Sequence, residues 1–205
     1  MGTIYLDMSM SLDGFIAGRN VDIDNSLGDG GEQLHQWMFA RKSSAQSRHF
    51  ELDRFATTGA LVMGRTMLDV GIGPWGDDPV YRAPVFVVTH RAERPVVKQG
   101  GTTYTFVTDG PDAALDHARA AAGEQDICLA GGANVIQHYL SAQVVDELRL
   151  HIVPVLLGGG TPLFGPDEHP PALELLPGTA EDAGVVHLRY RARHRERRLD
   201  PNGMG

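Results

Sequence analysis

The chain has 205 residues, 42% hydrophobic and 21% charged, the balance of an ordinary globular domain with room for a sizeable core. A net charge of −8 argues against general nucleic-acid binding. No apolar run approaches the roughly 20 residues that cross a bilayer, no basic-then-apolar leader is present, and the single cysteine, Cys128, excludes an internal disulfide, so a cytoplasmic, reducing setting is expected.

From Thr3 to Leu12 polarity alternates, with Ile4, Leu6, Met8 and Met10 on one face and Tyr5, Asp7, Ser9 and Ser11 on the other, which predicts a strand. Asp13-Gly14 turns the chain, and residues 19–33, rich in Asp, Asn and Gly, read as a flexible loop of the length that often covers a site. A helical stretch from about Gln33 to Ala56 follows, broken near Lys42-Ser43-Ser44. Strands are expected at Ala60–Met63, Pro84–Thr89, Tyr104–Val107, Ile127–Ala130 and Glu147–Leu157, with two final antiparallel strands near Ala172–Leu176 and Gly184–Arg193. Helices are expected at Arg65–Val70, Asp112–Ala122 and Val135–Leu140. This alternation predicts an α/β fold with parallel pairing in a single domain over 1–194, followed by a tail, 195–205.

Two glycine turns carry the chemistry. Gly64-Arg65-Thr66 and Gly131-Gly132-Ala133-Asn134 each stand between an apolar strand and a helix, where backbone N–H groups and the helix dipole face an anion. Two such cradles suit a ligand with several phosphates, such as a dinucleotide, although the full G-x-G-x-x-G spacing is missing. Asn134 has a second reading as a helix cap, and Arg65 as a surface arginine. Thr89-His90-Arg91 ends another strand, where ligands of open α/β sheets collect; Arg and Thr there fit a 2′-phosphate, the mark of NADP over NAD.

For acid or anchoring roles the candidate carboxylates are Asp13, Asp7, Glu51 and Asp53, with Asp13 also explained by turn chemistry alone. Trp37 and Trp75 flank loops, placed either to stack on a substrate ring or to fill the core. His49-Phe50-Glu51 matches half of a zinc deaminase signature, but one cysteine cannot complete it, and the histidines show no ligand spacing, so no metal is expected. Six arginines fall in Arg189–Arg198, and the alternation places Arg189, Arg191, Arg193 and Arg195 on one face of an extended strand, which is either a solvated final strand running into a frayed tail or a phosphate- or subunit-facing one.

The segments Met10–Gly18, Val62–Thr66, Leu129–Asn134 and Asp146–Gly160, in this order, resemble the dihydrofolate reductase-like superfamily, specifically the reductase domain of riboflavin biosynthesis and its stand-alone relatives. The resemblance implies a three-layer α/β/α fold around a mixed, mostly parallel sheet with antiparallel C-terminal strands. It also implies hydride transfer from NADPH to a C=N or C=O carbon of a small heterocyclic or carbonyl substrate. By the family pattern Gly64, Arg65, Thr66, Thr89, His90 and Arg91 take the adenosine-side phosphates, Gly131, Gly132, Ala133 and Asn134 the pyrophosphate, and Ile16 and Ala17 border the nicotinamide. Asp13 and Trp37 fall on the substrate side, and a homodimer is expected. The alternatives are a nucleotide-binding regulatory module without catalysis, dihydrofolate reduction, or an unrelated transferase using the same cradles.

Overall fold

A computed structural model describes residues 2–40, 55–79, 81–166, 170–177 and 184–193. Glu51, Asp53 and the tail 195–205 lie outside the described residues, as does most of the helix expected over 33–56. Nine strands form one sheet: β1 (Ile4–Ser11), β3 (Thr58–Gly64), β4 (Val85–Val88), β5 (Val96–Val97), β6 (Thr103–Val107), β7 (Asp126–Gly131), β8 (Glu147–Val153), β10 (Ala172–Leu176) and β11 (Val186–Arg193). Two short strands, β2 (Phe15–Ala17) and β9 (Thr161–Pro162), pair with each other beside it.

The order across the sheet is β10-β11-β8-β1-β7-β3-β4-β6-β5. From β8 to β6 every pair is parallel, and antiparallel pairs close both edges. The fold is therefore the mixed, mostly parallel α/β sheet with antiparallel C-terminal strands that the resemblance implies. β7 is inserted between β1 and β3. β3 leads outward to β4, and β7 leads the opposite way to β8, so the sheet reverses direction between β3 and β7.

Central strands of such a sheet are apolar on both faces because both are covered. On one side, α3 (Pro111–Ala122) and α4 (Ala133–Ser141) bury Ile4, Leu6, Val62, Leu129 and Leu148. α3 starts with Pro111 in its first turn, ends at Gly123, and turns Ala114, Leu115, Ala118 and Ala122 inward. On the other side, α2 (Arg65–Gly71) packs with Tyr5, Leu61, Met63, Val85 and Tyr104. A 3-10 turn at Gly31–His35 and the short α1 (Gln36–Ala40) close the rest of that face with Leu34 and Trp37 against Val153 and Val185.

β8 ends at Val153, four residues before the expected end at Leu157, because Pro154 has no N–H to continue the ladder. The chain then bends, with the Val155 N–H donating to Val153 O (2.8 Å) and the Leu12 N–H to Val155 O (2.9 Å). The loop over 19–30 is also more ordered than its composition suggests. Asp22 accepts the N–H groups of Asp24 and Asn25, and the side chains of Asn20 and Asn25 donate to Asp29. Among the described residues no helix is long and apolar enough to cross a membrane.

Candidate active site

The exits of the parallel strands gather most of the expected site residues along one edge. β3 leaves at Gly64 into α2, β7 at Gly131-Gly132 into α4, β4 at Thr89, and β1 at the Asp13 turn. The two glycine turns are neighbours, since Met63 pairs with Gly131 across the point where the sheet reverses. A Cβ placed on Gly64 would lie 3.3 Å from Val135 Cγ2 and 3.9 Å from the Gly132 nitrogen.

Gly131 has φ +129°, a conformation side chains resist, and this turns the chain from strand to helix. Gly132 differs: its φ is −32°, and a Cβ there would meet nothing within 4 Å. No side chain caps α4, so its first N–H groups and the positive end of its dipole open onto that space. Asn134 is an exposed first-turn residue and not the cap, which is Gly132. An open cradle, backbone donors and a nine-residue uncapped helix fit the pyrophosphate of a dinucleotide.

Arg65 is already engaged. Its Nε donates to Asp69 (2.6 Å), its Nη1 to Glu93 (2.5 Å), and its guanidinium lies 5.3 Å from the Phe106 ring centroid. The two carboxylates fix the guanidinium and take two of its five N–H donors, so what is left for a ligand is the other three together with the exposed Thr66. Thr89 is buried and its Oγ1 accepts the Arg91 N–H (3.1 Å), which turns the exposed His90 and Arg91 outward at the strand end.

Asp13 is a staple. Its Oδ1 accepts the Ser11 hydroxyl (2.6 Å) and the Leu157 N–H (3.1 Å), and its Oδ2 the Gly158 N–H (2.8 Å). The Ser11 hydroxyl, ahead of these backbone donors, holds the carboxyl below the ordinary aspartate value. An ionised carboxylate with three donors is an anchor for the β1 and β8 exits, not a source of protons. Ile16 and Ala17 lie in β2, half-buried, with Gly160 packed onto Ala17 and Gly18: a Cβ on Gly160, whose φ is +131°, would fall 2.1 Å from the Ala17 oxygen.

Trp37 is buried. Its Nε1–H donates to Ser9 Oγ (3.2 Å), and its ring lies 4.9 Å from both His151 and His187. Of its two readings the structure shows the core-filling one, and Trp75 likewise packs against Tyr81. The sequence reading passes over Ser11 and Gly160. Ser11 is signalled by its place two residues before an aspartate in a turn. Gly160 carries no signal beyond the run Gly158-Gly159-Gly160, because what it avoids is contributed by residues far away in the chain.

A family model, the RibD C-terminal domain, matches residues 2–186. The uncharacterized protein YyaP of Bacillus subtilis (strain 168) is 26% identical over 198 residues, covering 91% of this chain and 93% of that protein. A structure from Shewanella sp. PV-4, provisionally assigned to riboflavin biosynthesis, superposes with a TM-score of 0.67 at 24% identity, covering 95% of this chain and all of that one. Dihydrofolate reductase from Enterococcus faecalis, solved with NADP(H), gives 0.55 at 15% identity over 94% and 98% of the two chains.

Proposed function

Because the chain belongs to the RibD C-terminal domain family, we propose that it is an NADPH-dependent reductase of a small heterocyclic or carbonyl substrate. A ribosylaminouracil phosphate of riboflavin biosynthesis, 5-amino-6-(5-phosphoribosylamino)uracil, is the first acceptor to try. The observation that carries this reading is the open, uncapped cradle of Gly132 and α4 at the point where the sheet reverses. Gly131, Gly132, Ala133 and Asn134 would hold the pyrophosphate through backbone N–H groups and the helix dipole. Gly64, Arg65 and Thr66 would border the adenosine side, with Thr89, His90 and Arg91 at the 2′-phosphate. Ile16 and Ala17 would border the nicotinamide, which supplies a hydride when bound. The protein's share is to position the reacting carbon and to manage the accompanying proton.

The test is a titration with NADPH and, separately, NADH, following nicotinamide fluorescence and melting temperature. At a hundredfold excess over Kd, bound NADPH stabilises by about 2.7 kcal/mol, a rise of roughly 5–10 °C for a chain of this size. NADPH is expected to give this rise and NADH a smaller one; no response to either removes the reading. A second reading, nucleotide binding without turnover, draws on Asp13 being committed as an anchor. Consumption of NADPH with the uracil acceptor or with dihydrofolate eliminates it.

A further inference from the structure

The exit of β4 carries an ion-pair network that the cofactor reading leaves unexplained. From Thr89 to Lys98 the chain holds Arg91, Arg94 and Lys98 against a single carboxylate, Glu93. Lys98 is tied to Asp77 (3.0 Å), whereas the exposed Arg91 and Arg94 have no ion-pair partner among the described residues. Glu93 bends back to the neighbouring exit, where its Oε1 accepts the Nη1–H of Arg65 (2.5 Å). Asp69, one turn along α2, accepts the Nε–H of the same guanidinium (2.6 Å). Gly64, just before Arg65, pairs with Val88, just before Thr89, so the Glu93–Arg65 pair fastens the β4 exit to the start of α2.

The guanidinium lies 5.3 Å from the ring centroid of Phe106, on β6. That strand is two places beyond β3, on the side away from the Gly132 cradle, a reach of roughly 10 Å at the usual strand spacing. This is the adenosine side of the proposed cofactor, where NADPH carries a 2′-phosphate and NADH a hydroxyl. A carboxylate is the usual partner of that hydroxyl and an arginine of that phosphate; here the two are paired with each other.

Charge decides what this place receives. One guanidinium against two carboxylates leaves the trio net negative, so in the free protein it opposes an anion although it contains an arginine. Asp69 is held on its helix, while Glu93 stands on an exposed loop with its side chain 41% exposed, an ion pair weak enough for a phosphate to displace. A hydroxyl donates to the carboxylate as it stands.

We propose that Glu93 is a specificity-determining residue: paired with Arg65, it holds the place of a 2′-phosphate in the free protein and narrows the preference for NADPH over NADH. This rests on the cofactor reading of the two glycine cradles. NADPH exchanges one partner of Arg65 for another, carboxylate for phosphate, and frees the 90–94 loop from α2. NADH leaves the pair closed. Arg91 and Arg94 have no carboxylate to lose, so the cost falls on Arg65.

The experiment titrates the wild type, Glu93→Gln, Glu93→Ala and Asp69→Asn by calorimetry with NADPH, NADH, adenosine 2′,5′-bisphosphate and adenosine 5′-phosphate. Both Glu93 variants should bind NADPH and the bisphosphate about 3- to 10-fold more tightly, with adenosine 5′-phosphate within about twofold and NADH unchanged or weaker. Asp69 is as exposed as Glu93, 42% against 41%, so Asp69→Asn removes an equal charge from the same guanidinium. It leaves the bond from Nη1 to Glu93 in place and should not raise the NADPH-to-NADH ratio. All three variants change surface side chains and should melt within about 2 °C of the wild type. Equal tightening of NADH, or the same gain from Asp69→Asn, reduces the effect to net charge and overturns the proposal. If no form binds NADPH or NADH, the cofactor reading falls and the proposal with it; if the wild type binds NADPH and the Glu93 variants match it, the proposal falls alone.

Discussion

Asp13 and Gly132 sit on the same edge, and their surroundings give them opposite sensitivities. Asp13 is held by three donors, so Asp13→Ala should lower the melting temperature and detach the β1 exit from the 157–158 backbone. Its carboxyl lies below the usual aspartate value, so the stabilisation is present above the unfolded value of about 4 and is lost as pH falls through the lowered one. Melting curves of wild type and Asp13→Ala should therefore converge below about pH 4; a constant gap would refute the ionic account. At Gly132 a side chain meets nothing, so Gly132→Asp should fold normally and melt within about 2 °C of wild type. It should nonetheless abolish NADPH binding, because bulk and negative charge then occupy the cradle. Normal NADPH binding by this variant would remove the cradle from the site. Arg91→Ala should weaken NADPH more than NADH, and equal losses in the two titrations would take Arg91 off the 2′-phosphate.

At the scale of elements, the longest periodic segments were the most legible. β1, α3, α4 and β10 fall within two residues of expectation; α3 and α4 each bury one helical face, β1 is buried on both faces, and β10 is bounded in the sequence by the prolines before it and Pro177-Gly178 after it. β2, β5 and β9 carry two or three residues each, too few for any period to declare itself. The glycine turns and the Thr89 exit were readable as strand ends, but their meeting across β3 and β7 follows from strand order, which local pattern does not encode. The placement of Trp37 depends on two histidines more than 100 residues away. The arginine alternation on β11 also finds partners only in the fold. Arg189 and Arg149 both donate to Glu147, Arg149 lies 3.8 Å over the Tyr5 ring, and Arg191 and Arg193 reach Glu174. Burial alone would raise the Glu147 carboxyl, but the Arg189 and Arg149 guanidinium groups outweigh it and the net shift is downward. Glu147→Gln should therefore cost about 1–3 kcal/mol at pH 7, read from denaturant unfolding. The cost should shrink as pH falls below about 4, where the wild-type carboxyl is itself being protonated.

For the whole molecule, the covered face of the sheet gives out toward β10. Leu173 and Leu175 are 46% and 61% exposed, and Phe164 nearby is 42% exposed, while Leu163 beside it is fully buried. The chain thus covers its own glycine-rich loop only in part, and the homodimer expected from the sequence would use this end. Sedimentation should give the mass of two copies, and Leu175→Glu should give one; a wild-type monomer would remove the dimer.

The place of β7 has a consequence for how the chain is made. β1 is complete by residue 11, yet its only neighbours in the sheet are β7 and β8, whose residues are 115 or more positions later. While the ribosome works through the intervening segments, β1 has no hydrogen-bonding partner and β3 has only β4. The nascent protein therefore carries two apolar strand edges through most of its synthesis, and the domain closes late and nearly all at once. Premature termination between the end of β4 at Val88 and the start of β7 at Asp126 would yield a chain with an unfilled slot between β1 and β3, a species suited to aggregation or to capture by chaperones.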